Sequence, residues 1–194
     1  MPGEEKRQRL IETAMQVMYQ QGTHRTTLAD VAQASGVPLG NIYYYFKTKD
    51  ALVEAVIKAR LQGLRDTLHA FEALPDPWQR LKALVGLGRS RRDELMSYGC
   101  PFASLCLELE KEETPLAQSS SELFALQVDW AEQQFRQLDF DDEARDLAAD
   151  LLASIQGIYL LFHSLRSPDM FERKLTRLEK WLDDLAASHQ AAIP

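Results

Sequence analysis

Three adjacent tyrosines are the residues whose type and spacing most clearly predict contact with another molecule. Tyr43, Tyr44 and Tyr45 lie between Ile42 and Phe46, which are four positions apart and face the same side of a short predicted helix. Because successive helical residues point about 100° apart, the three tyrosines cannot all follow Ile42 and Phe46 into a core, so at least two are exposed. Tyrosine hydroxyls bind phosphate oxygens, and tyrosine rings pack on sugars or thymine methyl groups. The pattern therefore indicates a surface that binds nucleic acid.

The residues beside the tyrosines favour the same chemistry. Gly40 leaves room for the backbone to approach a ligand closely. Lys47 and Lys49 flank the start of the next predicted helix, whose free amide groups suit a phosphate. The alternative is a helical subdomain with a tyrosine-rich surface, in which any one of the tyrosines has only a structural role.

The two cysteines differ in their predicted surroundings. Cys100 precedes Pro101, which suits the first position of a helix, so the thiol is expected at the N-cap. The helix dipole there favours the thiolate, which reacts with electrophiles and oxidants. Cys100 is therefore either a sensor or only a helix cap. Cys106 lies among apolar residues of the same helix and is expected to be a buried, inert thiol.

No residue pattern indicates catalysis, a metal or a cofactor. The sequence has no nucleophile elbow and no phosphate-binding loop. The four histidines also lack metal-ligand spacing, and the chain is expected not to be an enzyme. They are His24, His69, His163 and His189.

Helices position all of these residues. Apolar residues recur at spacings of three and four along nearly the whole chain, which predicts an all-α protein. No run of six residues alternates between apolar and polar, so no strand is predicted. The predicted helices cover residues 4–21, 28–34, 39–46, 49–74, 78–98, 101–113, 115–138, 141–166 and 168–188, and residues 190–194 are expected to fray.

The second and third predicted helices form a helix-turn-helix. Thr27 and Asp30 resemble a capping box at the start of the second helix. Gly36 and Pro38 end that helix. Two short helices joined by a glycine-containing turn place the second of them in the major groove of DNA.

Three strings carry a family resemblance: Thr26–Ala32, Gly36-Val37 and Gly40–Leu52. With their order, spacing and helical context, residues 8–56 resemble the TetR family of transcriptional regulators. The resemblance implies a DNA-binding three-helix bundle with a helix-turn-helix over residues 1–50, a connecting helix over 51–74, and a larger effector-binding and dimerisation domain over 75–194. The sequence departs from the family at Tyr45, where His is common, and at Pro38, where a small hydroxyl residue is frequent.

The resemblance also implies which residues bind DNA. The phosphate backbone is expected to contact Thr27, Tyr43, Tyr45 and Lys49. Base edges are expected to meet Leu39, Gly40 and Tyr44, with Asn41 able to do either, and Thr48 completes the predicted set. The segment from Gly99 to Leu105 is also similar to one found in a TetR subgroup that includes electrophile-sensing repressors, although Ala103 stands where Gly is common.

The remainder of the chain is expected to dimerise and to hold an effector. The resemblance implies a dimer interface on the last two long helices, each of which carries an apolar stripe, and the alternative is that both stripes belong to the chain's own core. The predicted interface residues are Leu151, Ile155, Ile158, Phe162, Leu178 and Leu182. Aromatic and polar side chains predict an effector pocket or sensor, and an ordinary core with a few polar groups is again the alternative. These residues are Tyr98, Cys100, Phe102, Phe124, Gln127, Trp130, Tyr159 and His163.

Composition agrees with this division. The 194 residues carry a net charge of −7, but residues 1–60 sum to +2 and residues 61–194 to −9. The acidic total therefore does not exclude a nucleic-acid partner, because the predicted DNA-binding part is basic. No apolar stretch is expected to span a membrane, no signal peptide is expected, and two cysteines predict no disulfide framework, so the protein is expected in the cytoplasm.

These features together predict a homodimeric repressor that binds palindromic half-sites in a double-stranded DNA operator and is released by an unknown small-molecule or electrophilic effector. The alternatives are an activator of the same fold, a helical adaptor that does not bind DNA, and a helical enzyme.

Overall fold

The computed structural model describes residues 2–111 and 115–192, without the side chains of Pro2 and residues 190–192. The described residues form ten α-helices and a short 3₁₀ turn, Asp141–Glu143, with no strand among them. The helices are α1 (Pro2–Gln21), α2 (Leu28–Ser35), α3 (Leu39–Tyr45), α4 (Lys49–Phe71), α5 (Pro77–Ser90), α6 (Arg92–Tyr98), α7 (Pro101–Lys111), α8 (Leu116–Arg136), α9 (Ala144–Leu165) and α10 (Pro168–Ala192).

The chain divides into two compact units. The first unit comprises residues 1–64 and 101–123, and the second comprises residues 65–100 and 124–194. The boundary near residue 64 falls inside the continuous helix α4. The segment 101–123, which the sequence analysis grouped with the effector domain, belongs to the first unit, where α7 packs on α1.

The first unit contains the predicted three-helix bundle. The apolar stripe of α1 is buried against α2, and α2 packs on α3. The capping box of α2 is confirmed: the Thr27 amide donates to Asp30 Oδ2 (2.8 Å) and the Asp30 amide donates to Thr27 Oγ1 (3.2 Å). Gly36 ends α2 with φ 68°, a left-handed conformation that favours glycine. This turn sets the start of α3 and therefore the direction of its exposed side.

The second unit is built around α9. The buried side of α9 packs on α6 and α10, and α10 also packs on α5. Gly88 of α5 lies directly against α9, because a Cβ there would lie 2.6 Å from Tyr159 Oη. The Arg89 guanidinium joins α5 to α10 by hydrogen bonds to Glu172 and Glu179.

The predicted single helix over residues 78–98 is wrong, because the helix breaks at Arg91. Arg91 has φ −120° and ψ 22°, and its amide bonds back to the Gly88 carbonyl. The Ser90 hydroxyl donates to the Leu87 carbonyl and so competes with the helical backbone bonds. The two acidic residues that follow favour the start of a new helix, α6.

One helix bears on the expectation that no stretch spans a membrane. Within the described residues, Asp141–Leu165 is long and apolar enough by composition, with a mean hydropathy of 1.3 in its most apolar stretch. The same helix supplies the central core residues of the second unit, and a core helix has the same composition. Its remaining apolar side chains face outward and are described below.

Candidate nucleic-acid interface and effector residues

Helix α3 presents its tyrosines as the spacing predicts. Ile42 and Phe46 are buried in the first unit, whereas Tyr43 is 47% exposed and Tyr44 is 76% exposed. Tyr45 is half-buried, and its ring meets the edge of Tyr44 at a centroid distance of 5.0 Å. The two buried side chains fix the rotation of α3, so Tyr44 projects furthest from the unit.

The start of α3 forms part of the same exposed side. Leu39, Gly40 and Asn41 are all exposed. A Cβ built at Gly40 would have no atom within 4 Å among the described residues, so Gly40 leaves an open approach to the helix backbone. Beyond the C-terminal end of α3, the Arg7 guanidinium lies 5.4 Å from the centroid of the Phe46 ring and holds that end of the helix.

The two threonines of the predicted DNA-binding set cap helices in the structure. The Thr27 hydroxyl donates to Asp30 Oδ2 at 2.7 Å, and together with the Thr27 amide it holds the pKa of the Asp30 carboxyl below its ordinary value. Thr48 Oγ1 accepts from the Ala51 amide at 3.1 Å and caps α4. The hydroxyl hydrogen of Thr27 is thus bonded to Asp30 within the protein, which the resemblance alone did not indicate.

Lys49 also has a partner within the first unit. Its Nζ donates to the backbone carbonyl of His24 at 2.9 Å. An ammonium group has three N–H donors, so two remain for a phosphate. Lys47 is exposed. The cations predicted to meet DNA therefore include one whose position is set by the loop between α1 and α2.

The structure places seven of the eight predicted effector residues in the second unit and one, Phe102, in the first. Tyr98 is exposed, Phe124 and His163 are half-buried, and Cys100, Gln127, Trp130 and Tyr159 are buried.

Two of these aromatic residues have defined surroundings. His163 Nδ1 lies 3.0 Å from the Met96 carbonyl, which only accepts, so Nδ1 carries the proton. Burial raises the pKa of the Tyr159 hydroxyl well above its ordinary value of 10.0.

Trp130 is the buried member of this set with an unused donor. Its ring packs on Phe71 at a centroid distance of 6.1 Å. Its indole Nε1 is buried and has no hydrogen-bond partner among the described residues. A buried donor without a partner costs about 1–3 kcal/mol, so a ligand oxygen at this atom would gain binding energy.

Cys106 differs from its prediction. It is half-buried rather than buried, and its Sγ donates to the Ser120 carbonyl at 3.2 Å. Cys100 is the buried cysteine.

The structure places the residues of the predicted dimer interface in the core of the second unit or at its edge. All six side chains are 0–8% exposed, and two of them, Ile158 and Leu178, also line the groove between α9 and α10 that is described below. The period of the stripe identified an apolar side of each helix, but a period cannot distinguish a core from an interface. The six are Leu151, Ile155, Ile158, Phe162, Leu178 and Leu182.

The outward apolar residues of α9 are ones that the sequence analysis missed. Leu160, Leu161 and Leu165 are 65%, 43% and 61% exposed. The signal was present in the sequence, because four apolar residues stand in a row at 159–162 and cannot all face one side of a helix. Beside them lies a groove of about 340 Å³ between α9 and α10, lined by Ser154, Gly157, Ile158, Leu161, Lys174, Arg177, Leu178 and Trp181.

A short helix pair with a capped first helix and an exposed aromatic side on the second defines a helix-turn-helix DNA-binding protein. Comparison with known proteins specifies the family. Residues 10–56 match the model of bacterial regulatory proteins of the tetR family.

Two curated relatives and one solved structure agree with this match. The HTH-type transcriptional regulator TtgR of Pseudomonas putida is 29% identical over 191 residues, which cover 93% of this chain and 89% of TtgR. The regulator BetI of Klebsiella pneumoniae is 39% identical over 84 residues, which cover 42% of this chain and 43% of BetI, less than half of its length. A TetR-family transcriptional regulator from Cytophaga hutchinsonii has the same fold, with a TM-score of 0.82 at 18% identity over 95% of this chain and 96% of that one. The chain is therefore similar over nearly its whole length to a TetR-family type of transcriptional regulator, and residues 10–56 match the family's N-terminal DNA-binding domain.

Proposed function

We propose that this regulator is a repressor that binds a palindromic double-stranded DNA operator as a homodimer in the cytoplasm and is released when a small molecule binds its second unit. The exposed tyrosine side of α3 carries the DNA-binding part of the proposal, because Ile42 and Phe46 anchor the helix while Tyr43 and Tyr44 project from it. An anchored helix with projecting aromatic side chains suits insertion into the major groove.

The proposed DNA-binding residues fall into two groups, those that contact base edges and those that contact phosphates. Tyr44, with the exposed start of α3, approaches base edges, which carry sequence specificity. The others contact phosphates, which fix position and orientation without reading sequence. The base-reading set is Leu39, Gly40 and Tyr44, the phosphate set is Tyr43, Tyr45, Thr48 and Lys49, and Asn41 can serve either. Thr27 is left out of the phosphate set, because its hydroxyl and its amide both donate to Asp30.

Selection of binding sites from a random-sequence duplex pool tests this assignment. We expect the unaltered chain to select a palindromic site. Tyr44→Ala should cost about 1–3 kcal/mol on that site and relax its base preference. Lys49→Ala should weaken binding to all duplexes alike and reduce the slope of log affinity against log salt by about 1. Tyr98→Ala, which removes an exposed tyrosine from α6, is the matched control and should bind as the unaltered chain does. Intact binding in both the Tyr44 and Lys49 variants would show that the surface is wrongly assigned.

The exposed apolar side of α9 supports homodimerisation. Leu160, Leu161 and Leu165 expose large side chains next to the groove between α9 and α10. At Gly157 a Cβ would have no atom within 4 Å among the described residues, which leaves space for a partner helix. A second copy of the same surface, related by a two-fold axis, would cover it.

Effector binding is proposed for the aromatic residues of the second unit. The buried indole donor of Trp130 supports a ligand that offers a hydrogen-bond acceptor against an aromatic wall. Trp130→Phe keeps most of the ring and removes the donor, so it should leave operator binding intact and abolish release by such a ligand. Release that survives in the Trp130→Phe protein would remove Trp130 from the site.

Sensing of electrophiles through Cys100 is a second form of the same proposal, supported by the resemblance of its segment to that of electrophile-sensing repressors. N-ethylmaleimide serves as the probe, and release from the operator is measured. The sensor hypothesis predicts that Cys100→Ser abolishes release while Cys106→Ser does not. Because Cys106 is the more exposed thiol, the opposite result would assign the reaction to Cys106. An unchanged response in the Cys100 variant would leave that cysteine as a structural residue.

A further inference from the structure

The loop between α1 and α2 is held through the backbone on both sides of one residue, His24. The His24 amide donates to Glu108 Oε2 at 3.0 Å, and the His24 carbonyl accepts from Lys49 Nζ at 2.9 Å. Glu108 lies on α7, 84 residues away in sequence, and Lys49 lies at the start of α4. All three residues belong to the first unit.

The neighbouring turn keeps the Glu108 carboxylate close. Gly22 has φ +91°, which favours glycine, and a Cβ there would lie 3.1 Å from Glu108 Oε1. A hydrogen bond from an amide to a carboxylate is charge-assisted and stronger than one between neutral groups. Glu108 therefore restrains the loop at His24 more firmly than water would.

This restraint passes to Lys49. A lysine side chain loses rotational freedom when it binds a phosphate. Because the fixed His24 carbonyl already restricts the Lys49 side chain, less of this freedom remains to be lost when DNA binds. We infer that Glu108 is a positioning residue for DNA binding: it fixes the backbone at His24 through the amide, and the carbonyl of His24 in turn holds the Lys49 ammonium ready for a phosphate. The inference rests on the proposed function, in which Lys49 contacts the DNA backbone.

The charge of Glu108 makes the inference testable. A carboxylate in the DNA-binding unit repels phosphates, so loss of its charge alone would strengthen binding to DNA. If Glu108 acts by positioning, loss of the carboxylate should instead weaken DNA binding, because it frees the backbone at His24 and the side chain of Lys49. Glu108→Gln removes the charge and keeps an amide oxygen as acceptor, whereas Glu108→Ala removes both.

The experiment measures affinity for a mixed-sequence DNA duplex over a range of salt concentrations, with hydrogen exchange of the His24 amide followed by NMR. We expect Glu108→Ala to bind about fivefold more weakly and to reduce the salt slope by about 1, as expected when one phosphate contact is lost. Glu108→Gln should bind at least as tightly as the unaltered chain. The His24 amide should exchange faster in Glu108→Ala and stay protected in Glu108→Gln.

Two further proteins complete the test. Glu110→Ala removes the same charge from an exposed position on α7 and should not weaken binding. The double variant Lys49→Ala with Glu108→Ala should bind no more weakly than Lys49→Ala alone, because both changes act through one ammonium group. Binding by Glu108→Ala that matches Glu110→Ala, with an unchanged salt slope, would overturn the inference. Absence of duplex binding by the unaltered chain would instead overturn the proposed function, and the inference with it.

Discussion

Gly88 shows how one residue without a side chain permits a helix contact. A Cβ at this position would lie 2.6 Å from Tyr159 Cε1 and Oη, well inside normal contact distance. Gly88→Ala must therefore displace the buried Tyr159 ring or separate α5 from α9. We expect the free energy of unfolding to fall by about 1–3 kcal/mol, the usual range for overpacking a core, as measured by denaturant titration.

Gly86 on the same helix provides the control for this prediction. A Cβ there would lie 3.5 Å from Arg89 Nη1, which is ordinary van der Waals contact with a flexible side chain. Because alanine is the better helix former by roughly 1 kcal/mol, Gly86→Ala should keep or raise stability. Equal stability of the two alanine variants would show that the Tyr159 ring can move aside without lowering the free energy of unfolding.

Asp30 carries a prediction about pH. Hydrogen bonds from the Thr27 hydroxyl and amide hold the pKa of the Asp30 carboxyl below 3.8, its ordinary value. Because the folded pKa is the lower one, the stability that Asp30 contributes is fully present above pH 3.8 and is lost as the pH falls through the folded pKa. Thr27→Val removes the hydroxyl donor and should raise the pKa of Asp30 towards 3.8, as measured by an NMR titration of the carboxyl carbon.

Thr27→Ser keeps a hydroxyl at the same position and should leave the pKa of Asp30 low. An equal pKa in the Val and Thr proteins would mean that the hydroxyl contributes nothing to the cap. In both the Thr27→Val and the Thr27→Ser protein, α2 is expected to stay in place, because Leu28, Val31 and Ala32 bury its apolar side.

At the scale of the elements, the ion-pair cluster of Arg89 ties α5 to α10. Arg89 donates to both Glu179 oxygens, at 2.5 and 3.1 Å, and to Glu172 Oε2 at 3.0 Å. These partners raise the pKa of the guanidinium, and the cluster is partly shielded from solvent. Glu179→Gln should lower the free energy of unfolding by about 1 kcal/mol, an effect that shrinks as salt is added.

An exposed pair on α4 is the comparison for that variant. Lys58 and Glu54 form an i,i+4 pair whose side chains are open to water. Glu54→Gln should therefore change stability by at most about 0.5 kcal/mol. A Glu179→Gln protein as stable as the Glu54→Gln protein would show that the Arg89 cluster does not stabilise the packing of α5 on α10.

The elements also show what the sequence can and cannot predict. The cap at Thr27 and the stop at Gly36 are predictable because they depend on residues within one turn of each other. The break at Arg91 is not, since Ser90 and Arg91 are ordinary helix residues and the break depends on bonds that only the folded backbone shows. The same limit applies to Lys49, whose bond to the His24 carbonyl joins residues 25 apart in sequence.

Periodicity alone cannot show whether an apolar stripe on a helix packs in the core of the chain or against another chain. The stripe through Leu151 and Phe162 is apolar in either case, and only the packing of α6 and α10 shows that it is the core. The exposed leucines of α9 were detectable by the argument that found the tyrosines: a run of apolar residues longer than one helix side must project somewhere. The outward direction of these leucine side chains was therefore predictable from the sequence, but the molecule that covers them was not.

At the scale of the whole molecule, charge and apolar surface suit different partners. The basic residues 1–60 contain the proposed DNA-binding side, whereas the −9 of residues 61–194 would repel phosphates and limit non-specific binding. The exposed apolar side of α9 suits neither water nor DNA. A stable protein interface concentrates apolar residues at its centre, and the leucines of α9 with the groove beside them provide such a centre.

Oligomeric state is therefore the property that tests this surface. Light scattering of the unaltered chain should give twice the 22.1 kDa chain mass. Leu161→Glu places a charge beside the groove and should convert the dimer to a monomer that remains helical. Leu107→Glu changes an equally apolar, exposed leucine on α7 and should leave the dimer intact. A monomeric unaltered chain would remove the two-fold symmetry that the palindromic operator requires. Recovery of the chain only with lipid or detergent would assign the apolar side of Asp141–Leu165 to a membrane instead.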